Sequence, residues 1–158
     1  MNYLDTDIRY CKGIGEKKAL LFNKLGVFNV RDLVSYFPRK YEDRSSFKPI
    51  ALTCDGETVC INALAAEDAR LVRIRRGLEL VKFRVVDESG SVDITFFNQP
   101  YIKNNIHRGD SLNIYGKIIG VGGKRTMTNP VIEREGTVGG VTGRIVPVYR
   151  LTTGLSQK

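Results

Sequence analysis

Residues 80–97 read LVKFRVVDESGSVDITFF, and apolar and polar side chains alternate on both sides of a short turn. The apolar side chains that recur at every second position are Val81, Phe83, Val85, Val92, Ile94 and Phe96. A period of two places such side chains on one face of a strand, and Asp87-Glu88-Ser89-Gly90 has the composition of a turn. The stretch therefore predicts an antiparallel hairpin, with strands over 80–86 and 91–97, whose inner face belongs to a hydrophobic core.

Strand patterns also occur before and after this hairpin. Residues 58–66, 111–119 and 124–135 predict three further strands, and residues 99–106 predict a short helix after the hairpin. Three strands, a short helix and two strands follow one another in an OB-fold, a five-stranded Greek-key barrel. A β-sandwich is the alternative, but it would not need a helix at that point. We therefore predict a mainly β protein with an OB-fold barrel over residues 51–136.

The first fifty residues have a helical period instead. Residues 16–25 place apolar side chains on one face of a first helix. A second helix is predicted from Asn29 as N-cap, with Asp32 in the capping-box position, to Phe37, because a proline follows. These features predict a small helical N-terminal segment. Residues 137–158 begin with a glycine-rich stretch and are predicted to form a linker.

Bulk composition limits the class of protein. The chain has 158 residues, of which 42% are hydrophobic, so a packed core is expected and disorder is not. No stretch approaches the run of about 18 apolar residues that spans a bilayer. The first residues lack the basic and apolar regions of a signal peptide. We therefore expect a cytoplasmic protein with no membrane partner.

The chemistry of metal and nucleotide sites is missing from the sequence. Cys11, Cys54 and Cys60 are odd in number and lack CxxC spacing, and His107 is the single histidine. Neither a disulfide framework nor a zinc site is therefore predicted. The chain also lacks a Gly-x-x-x-x-Gly-Lys-Ser/Thr sequence, so there is no phosphate loop for ATP. We expect no metal, no cofactor and no catalytic residue in this segment.

The charge of the chain points to nucleic acid. Lysine and arginine total 25 against 17 acidic residues, which gives a net charge of +8. In the predicted barrel, basic side chains fall in the connections that bind oligonucleotides in OB-folds. Arg70, Arg73, Arg75 and Arg76 fall in the connection between the first two strands, Lys124 and Arg125 fall in the connection between the last two, and Lys117 lies in the fourth strand. We predict that they form one basic surface that binds phosphates; the alternative is an arginine-rich hairpin that is merely solvated.

Two glycine-containing segments are candidates for backbone contacts with phosphate. Gly120, Gly122 and Gly123 would let the backbone approach a phosphate, or would simply make a mobile loop. Before the first predicted helix, a sequence that resembles the hairpin of a helix-hairpin-helix element could bind a phosphate through its amides. Its residues are Lys12, Gly13, Ile14, Gly15 and Lys17. A plain turn that starts a helix explains the same residues, and the sequence leaves both alternatives open.

Several blocks of sequence, taken in order, resemble the N-terminal part of bacterial RecG. They are 12–19 (KGIGEKKA), 25–28 (LGVF), 36–44 (YFPRKYEDR), 96–101 (FFNQPY), 109–110 (GD), 116–117 (GK), 129–130 (NP) and 147–158 (PVYRLTTGLSQK). Each block is short, but their order extends over nearly the whole chain. This chain is therefore identified as similar to the wedge region of the RecG family.

The resemblance implies a function. RecG proteins are ATP-dependent translocases on double-stranded DNA that remodel stalled replication forks and Holliday junctions. Their wedge domain, an OB-fold, holds the branch point and splits the strands, while ATP and magnesium bind to a motor that lies C-terminal to it. The resemblance implies that the motor follows beyond Lys158 in a longer chain. We thus expect branched DNA and that motor as partners, and a monomer.

The resemblance also assigns an aromatic pair that stacks on the bases flanking the junction. The Phe-Asn-Gln-x-Tyr segment of the family matches residues 97–101, so the pair is carried over to Phe97 and Tyr101. Strand alternation agrees, because it places Phe97 on the face opposite to Phe96, which we assign to the core. The alternative is that both members of the pair belong to the core.

Two functions of other classes remain open at this point. An OB-fold with a basic face could bind single-stranded nucleic acid without any preference for branches. The same face could also dock an acidic protein partner.

Overall fold

The structure, a computed structural model, describes residues 2–121 and 123–157. It contains two α-helices, four short 3₁₀-helices and ten strands among these residues. The α-helices are α1 (Glu16–Asn23) and α2 (Val30–Val34), and the 3₁₀-helices are Tyr3–Asp5, Ile8–Tyr10, Ile50–Leu52 and Pro100–Asn104. The strands are β1 (Lys40–Asp43), β2 (Thr58–Ala65), β3 (Arg70–Arg75), β4 (Leu78–Val86), β5 (Ser91–Phe97), β6 (Ser111–Lys117), β7 (Ile119–Val121), β8 (Lys124–Thr128), β9 (Val131–Arg134) and β10 (Ile145–Val148).

The chain forms two compact units whose boundaries differ from those predicted. One unit is Asp43–Ile145, and the other combines Met1–Glu42 with Val146–Lys158. The last stretch belongs with the first because β10 pairs with β1 in a two-stranded sheet. Residues 137–158 are therefore not one linker, since their second half is built into the N-terminal unit.

The larger unit is an OB-fold barrel, as predicted. Strand β2 pairs with β4 and β6, β4 pairs with β5, β5 pairs in parallel with β8, and β6 pairs with β9. This is the OB-fold order if β8 and β9 are two halves of the fifth strand. The single strand predicted over 124–135 is thus wrong. It breaks at Asn129, whose φ is 46°, and at Pro130, which has no N–H for a ladder.

Residues 70–76 were predicted to form a connection between strands, but they contain strand β3. Arg70 pairs with Lys82 and Arg73 with Glu79, so β3 and β4 form a hairpin that extends the barrel wall. Most of β3 is exposed on both faces, so the sequence lacks the alternation of apolar and polar residues that is typical of a half-buried strand. Pairing with β4 satisfies its backbone groups instead. The strand predicted over 111–119 is likewise interrupted, at the buried Ile118, between β6 and β7.

The core of the barrel contains the alternating side chains of the central hairpin. All six are at most 3% exposed, which confirms the predicted inner face: Val81, Phe83, Val85, Val92, Ile94 and Phe96. Full burial of such side chains contributes about 1.5–3 kcal/mol each to stability. The predicted turn is confirmed as well, because Asp87 Oδ1 accepts hydrogen bonds from the amides of Ser89 and Gly90.

The N-terminal unit has a small core of its own around Ile8, Ala19 and Val27. The predicted capping box at the start of α2 is confirmed, with Asn29 and Asp32 each accepting from the backbone of the other. The predicted extension of this helix to Phe37 is wrong. Helix α2 ends at Val34 because its C-cap, Ser35, already leaves the helical conformation, with φ of −92° and ψ of 2°, and Phe37 is 79% exposed.

Candidate nucleic-acid interface

A groove beside the β3–β4 turn brings three of the predicted arginines next to the end of β5. Its lining residues are Arg73, Ile74, Arg75, Arg76, Gly77, Glu79, Asn98 and Pro100. Gly77, with φ of 80°, makes the turn possible. The hairpin thus carries its guanidinium groups to the segment that joins Phe97 to Tyr101.

The arginines of the hairpin differ in their ion pairs. Arg73 Nε lies 2.9 Å from Glu79 Oε1, and Arg70 Nη2 lies 2.9 Å from Glu67 Oε2. Arg75 and Arg76 form no ion pair within the described part of the chain. Since a phosphate must displace a carboxylate at Arg70 and Arg73 but not at the other two, Arg75 and Arg76 are the readier phosphate ligands.

Phe97 is the last residue of β5 and lies on the outer face of the barrel, opposite to the core residue Phe96. It is directly opposite Leu80 in the ladder, and Leu80 is directly opposite Val72 of β3. Directly paired residues project on the same face, so the three form a short apolar row across three strands. Leu80 is 8% exposed whereas Phe97 is 41% exposed. The predicted outward position is confirmed, while stacking on DNA stays a prediction.

Tyr101 lies in the 3₁₀-helix Pro100–Asn104 and is 61% exposed. Its hydroxyl donates a 2.8 Å hydrogen bond to Gln99 Oε1, which holds the ring at the surface. Neither Tyr101 nor Phe97 is therefore a core residue. Both present aromatic surface to solvent, and each is the sequence neighbour of a residue that lines the arginine groove, Asn98 or Pro100.

Lys124 and Arg125 lie at the other end of β5. They border a second depression together with Arg84, Ser91 and Asp93. The six residue steps from Ser91 to Phe97 span about 20 Å at the usual rise of a strand. The basic side chains thus form two clusters along β5: the hairpin cluster (Arg70, Arg73, Arg75, Arg76) and the loop cluster (Arg84, Lys124, Arg125). Binding of phosphates by these residues stays a prediction.

Local contacts hold the loop cluster in place. Arg125 Nη2 donates to the Ala51 carbonyl at 3.1 Å, and Arg84 Nε lies 2.7 Å from Asp93 Oδ1. The hydrogen bond to Asp93 raises the pKa of the Arg84 guanidinium. Lys117 borders neither depression and pairs with Thr58 at the end of β6.

The loop that contains the predicted glycines is described only in part, since Gly122 lies outside the described residues. The amide of Gly120 already donates to Asp55 Oδ1 at 2.9 Å, so it is not available to a phosphate. Gly123 has φ of 79°, and nothing lies within 4 Å of the position a Cβ would take. Of the two described glycines, Gly123 alone keeps open space for an approaching backbone or ligand.

The glycine hairpin before α1 belongs to the N-terminal unit. Gly13 has φ of 87°, and Gly15 is the N-cap of α1 without a side-chain cap. Both have open space where a Cβ would project. The Lys18 Nζ donates a hydrogen bond to the Gly13 carbonyl at 3.0 Å. Lys12 and Lys17 are exposed beside them. A phosphate contact by this hairpin stays a prediction.

Other site chemistries have no support in the part of the chain that the structure describes. No cluster of three or more His, Cys, Asp or Glu side chains there could hold a metal ion. None of the described helices is long and apolar enough to cross a membrane. Cys11, Cys54 and Cys60 are free thiols.

Comparison with known proteins decides the family. A family model described as the RecG wedge domain matches residues 7–158. This chain belongs to the RecG wedge domain family. The ATP-dependent DNA helicase RecG of Thermotoga maritima is 30% identical over 162 residues, which cover 98% of this chain and 20% of that protein. RecG of Streptococcus pneumoniae is 30% identical over 154 residues, covering 98% and 22%.

A solved structure described as RecG bound to a three-way DNA junction agrees with this assignment. It superimposes with a TM-score of 0.85 at 28% identity and covers 99% of this chain and 22% of that chain. This RecG wedge domain therefore spans about a fifth of the length of the relatives it matches.

Two cations of this RecG wedge domain were missed in the sequence, although a signal for them was present. Lys82 and Arg84 alternate with the core residues of β4 and so project from the outer face of the barrel. Lys82 pairs with Arg70 on one side and with Thr95 on the other. Lys82 therefore places positive charge on the face between the hairpin cluster and the loop cluster, to which Arg84 belongs.

Proposed function

We propose that this wedge domain binds branched DNA and holds the branch point while an ATP-driven motor in a longer RecG-type chain separates the strands. The observation that carries the proposal is the exposed aromatic surface of Phe97 at the end of β5, next to a groove lined by Arg73, Arg75 and Arg76. Membership of the RecG wedge domain family supports it.

Two kinds of contact contribute to DNA binding in this proposal. The guanidinium groups of the hairpin cluster bind phosphates without reading sequence, which gives general affinity for any DNA. Phe97 and Tyr101 stack on base faces, which a continuous duplex does not offer along its length but which a branch point does. The aromatic pair thus supplies the preference for forks and junctions.

The loop cluster binds a second stretch of DNA backbone in this proposal. It lies about 20 Å along β5 from Phe97, a distance that corresponds to about six nucleotides of a strand in B-form DNA. Lys82 projects from the outer face between the two clusters, and Arg84 projects from the same face within the loop cluster. A DNA segment that leaves the branch at Phe97 would therefore meet positive charge along this face.

The remaining roles belong to the longer protein. We propose that the segment itself binds no cofactor, that ATP and magnesium bind to the motor, and that the protein acts as a monomer in the cytoplasm. The lack of a phosphate loop in the sequence supports the first of these.

The test compares a fork, a Holliday junction, a linear duplex of equal length and a single strand at matched salt. Tighter binding of the fork and junction than of the duplex and the single strand is expected. Equal affinity for fork and duplex would overturn the proposal. Single-strand affinity equal to that for the fork would instead identify a general single-strand binder, and the absence of DNA binding with retention of an acidic protein would identify a docking module.

A further inference from the structure

Strand β5 ends at Phe97 between two asparagines whose backbone is left-handed. Asn98 has φ of 52° and Asn129 has φ of 46°, and they are the only non-glycine residues with positive φ in the described part of the chain. This conformation is uncommon for residues with a side chain, although asparagine adopts it more readily than most. Both exceptions therefore occur at the place where the proposed stacking residue is held.

Asn129 completes the ladder on one edge of β5 with its side chain. Its amide donates to the Thr95 carbonyl at 2.9 Å, as the parallel pairing of β5 with β8 requires. The next rung of a regular parallel ladder would run from the Phe97 amide to the backbone carbonyl of Asn129. Instead, the Phe97 amide donates to Asn129 Oδ1 at 2.9 Å. The side chain thus replaces the carbonyl while the backbone turns away toward Pro130 and β9.

Asn98 does the same on the other edge. Its amide donates to the Glu79 carbonyl at 2.8 Å, as in the antiparallel ladder of β5 with β4. The return bond of that pair, from the Glu79 amide, goes to Asn98 Oδ1 at 3.0 Å rather than to the Asn98 carbonyl. The chain can therefore leave the sheet directly after Phe97 and enter the 3₁₀-helix that carries Tyr101, while the amides of Glu79, Phe97 and Asn98 all stay paired.

We propose that Asn98 and Asn129 are positioning residues that fix Phe97 at the end of β5 for stacking at the branch point. Each side-chain oxygen closes the last rung on its edge. Asn129 holds the Phe97 amide, and Asn98 holds the residue after Phe97 against Glu79. The inference rests on the proposed function, because it assigns these residues to the stacking site. Asn98 also joins this site to the hairpin cluster, since Glu79 binds Arg73.

A purely conformational role would make a different prediction. If asparagine were present only because it tolerates a left-handed backbone, glycine would serve at least as well. Asn129→Gly and Asn98→Gly keep that freedom and remove the oxygen, whereas Asn129→Asp and Asn98→Asp keep an oxygen at the same position. Comparing the two series separates the hydrogen bond from the backbone conformation.

The experiment measures fork affinity, duplex affinity and melting temperature for the wild type and these four variants, well below the melting temperature of each. A 2-aminopurine base placed at the branch point reports stacking through quenching of its fluorescence, and amide exchange reports the Phe97 N–H directly. Asn62→Ser is the matched control, because it removes another exposed amide hydrogen bond of the barrel, to Asn113 at 2.8 Å. The added negative charge of the aspartates weakens binding to every DNA, and this general effect cancels in the ratio of fork to duplex affinity.

Each glycine variant should lose about fivefold in the ratio of fork to duplex affinity, the net contribution of one hydrogen bond. It should also quench 2-aminopurine less, and Asn129→Gly should speed exchange of the Phe97 amide. The aspartate variants and Asn62→Ser should keep the wild-type ratio and quenching. Glycine variants with the wild-type ratio and quenching would overturn the positioning role, as would aspartate variants that fall as far as glycine. A wild-type protein without fork preference would instead overturn the proposed function itself.

Discussion

Phe97 lies directly opposite Leu80 in the ladder between β5 and β4, and its ring shares the outer face of the barrel with that side chain. Leu80 is 8% exposed although it projects away from the core, so its neighbours on the outer face must cover it. Phe97 is 41% exposed, which leaves aromatic surface open to solvent. Phe97 therefore extends the apolar row that contains Leu80 and leaves ring surface available for the proposed stacking.

Separate substitutions of the aromatic pair should show both roles. Phe97→Ala should lose fork preference and also about 1–2 kcal/mol of stability, less than the roughly 3–5 kcal/mol of a fully buried phenylalanine. Tyr101→Ala should lose fork preference with a stability change within about 0.5 kcal/mol, because the ring is largely exposed. Urea unfolding together with fork and duplex affinities measures both effects.

Phe97→Leu is the control that keeps an apolar side chain beside Leu80 but removes the aromatic ring. It should keep most of the stability and still lose fork preference, since leucine covers Leu80 but offers no ring to a base. Parallel loss of fork and duplex affinity in the alanine variants would contradict the stacking assignment.

The hairpin cluster should determine the salt dependence of binding. Arg75→Ala and Arg76→Ala should each lower the slope of log affinity against log salt by about one and weaken binding to fork and duplex alike. Arg70→Ala and Arg73→Ala should have smaller effects, because phosphate must first displace Glu67 or Glu79. Titrations at several salt concentrations give the slopes.

Arg144→Ala is the matched control for loss of one positive charge. Its guanidinium donates to the Gly139 carbonyl in the loop before β10, and it lines neither basic depression. Its slope should equal that of the wild type. If Arg75→Ala and Arg76→Ala also keep the wild-type slope, the β3–β4 hairpin is not the contact surface.

Asp87 should make the stability of the barrel depend on pH. Burial by itself would raise the pKa of this carboxyl, but hydrogen bonds from the amides of Ile50, Ser89 and Gly90 and from the Ser89 hydroxyl lower it by more. Because the folded pKa lies below the unfolded value of about 3.9, the contribution to stability is present above that pH. It is lost as pH falls through the folded pKa.

Asp87→Asn should therefore cost about 1–3 kcal/mol at neutral pH, as expected for hydrogen bonds to a charged group, and less as pH falls through the folded pKa of Asp87. Ile50 is fully buried, so loosening its anchor should lower the melting temperature measurably. Glu88→Gln, at the exposed neighbouring position, is the control and should leave stability unchanged at neutral and at acid pH. An equal loss for Asp87→Asn at neutral and acid pH would contradict the assignment.

The segment should neither bind nor hydrolyse ATP. Without a Gly-Lys-Ser/Thr loop the β- and γ-phosphates have no cradle. Calorimetry with ATP and magnesium should show no heat of binding, and addition of forked DNA should release no phosphate. Stoichiometric ATP binding by a pure preparation would contradict this expectation.

Residues with a strong local signal could be predicted from the sequence. The alternation around Asp87 predicted the hairpin, its turn and the outward position of Phe97, because side chains of period two must segregate between core and solvent. Asn29 and Asp32 predicted the capping box for a similar reason, since both of its bonds join neighbouring residues. Strand β3 had no such signal, because both of its faces are exposed.

The sequence by itself therefore determined the class of fold, the inner face of the barrel, the basic character of the chain and its family. Only the tertiary structure decided that Arg75 and Lys124 lie at opposite ends of β5, that residues after 145 return to the N-terminal unit, and that the side chains of Asn98 and Asn129 close the last rungs on the two edges of β5. Local periodicity reports which side of its own strand a residue faces. Which strands pair, and in which register, depends on contacts between residues far apart in the chain, and those contacts leave no period in the sequence.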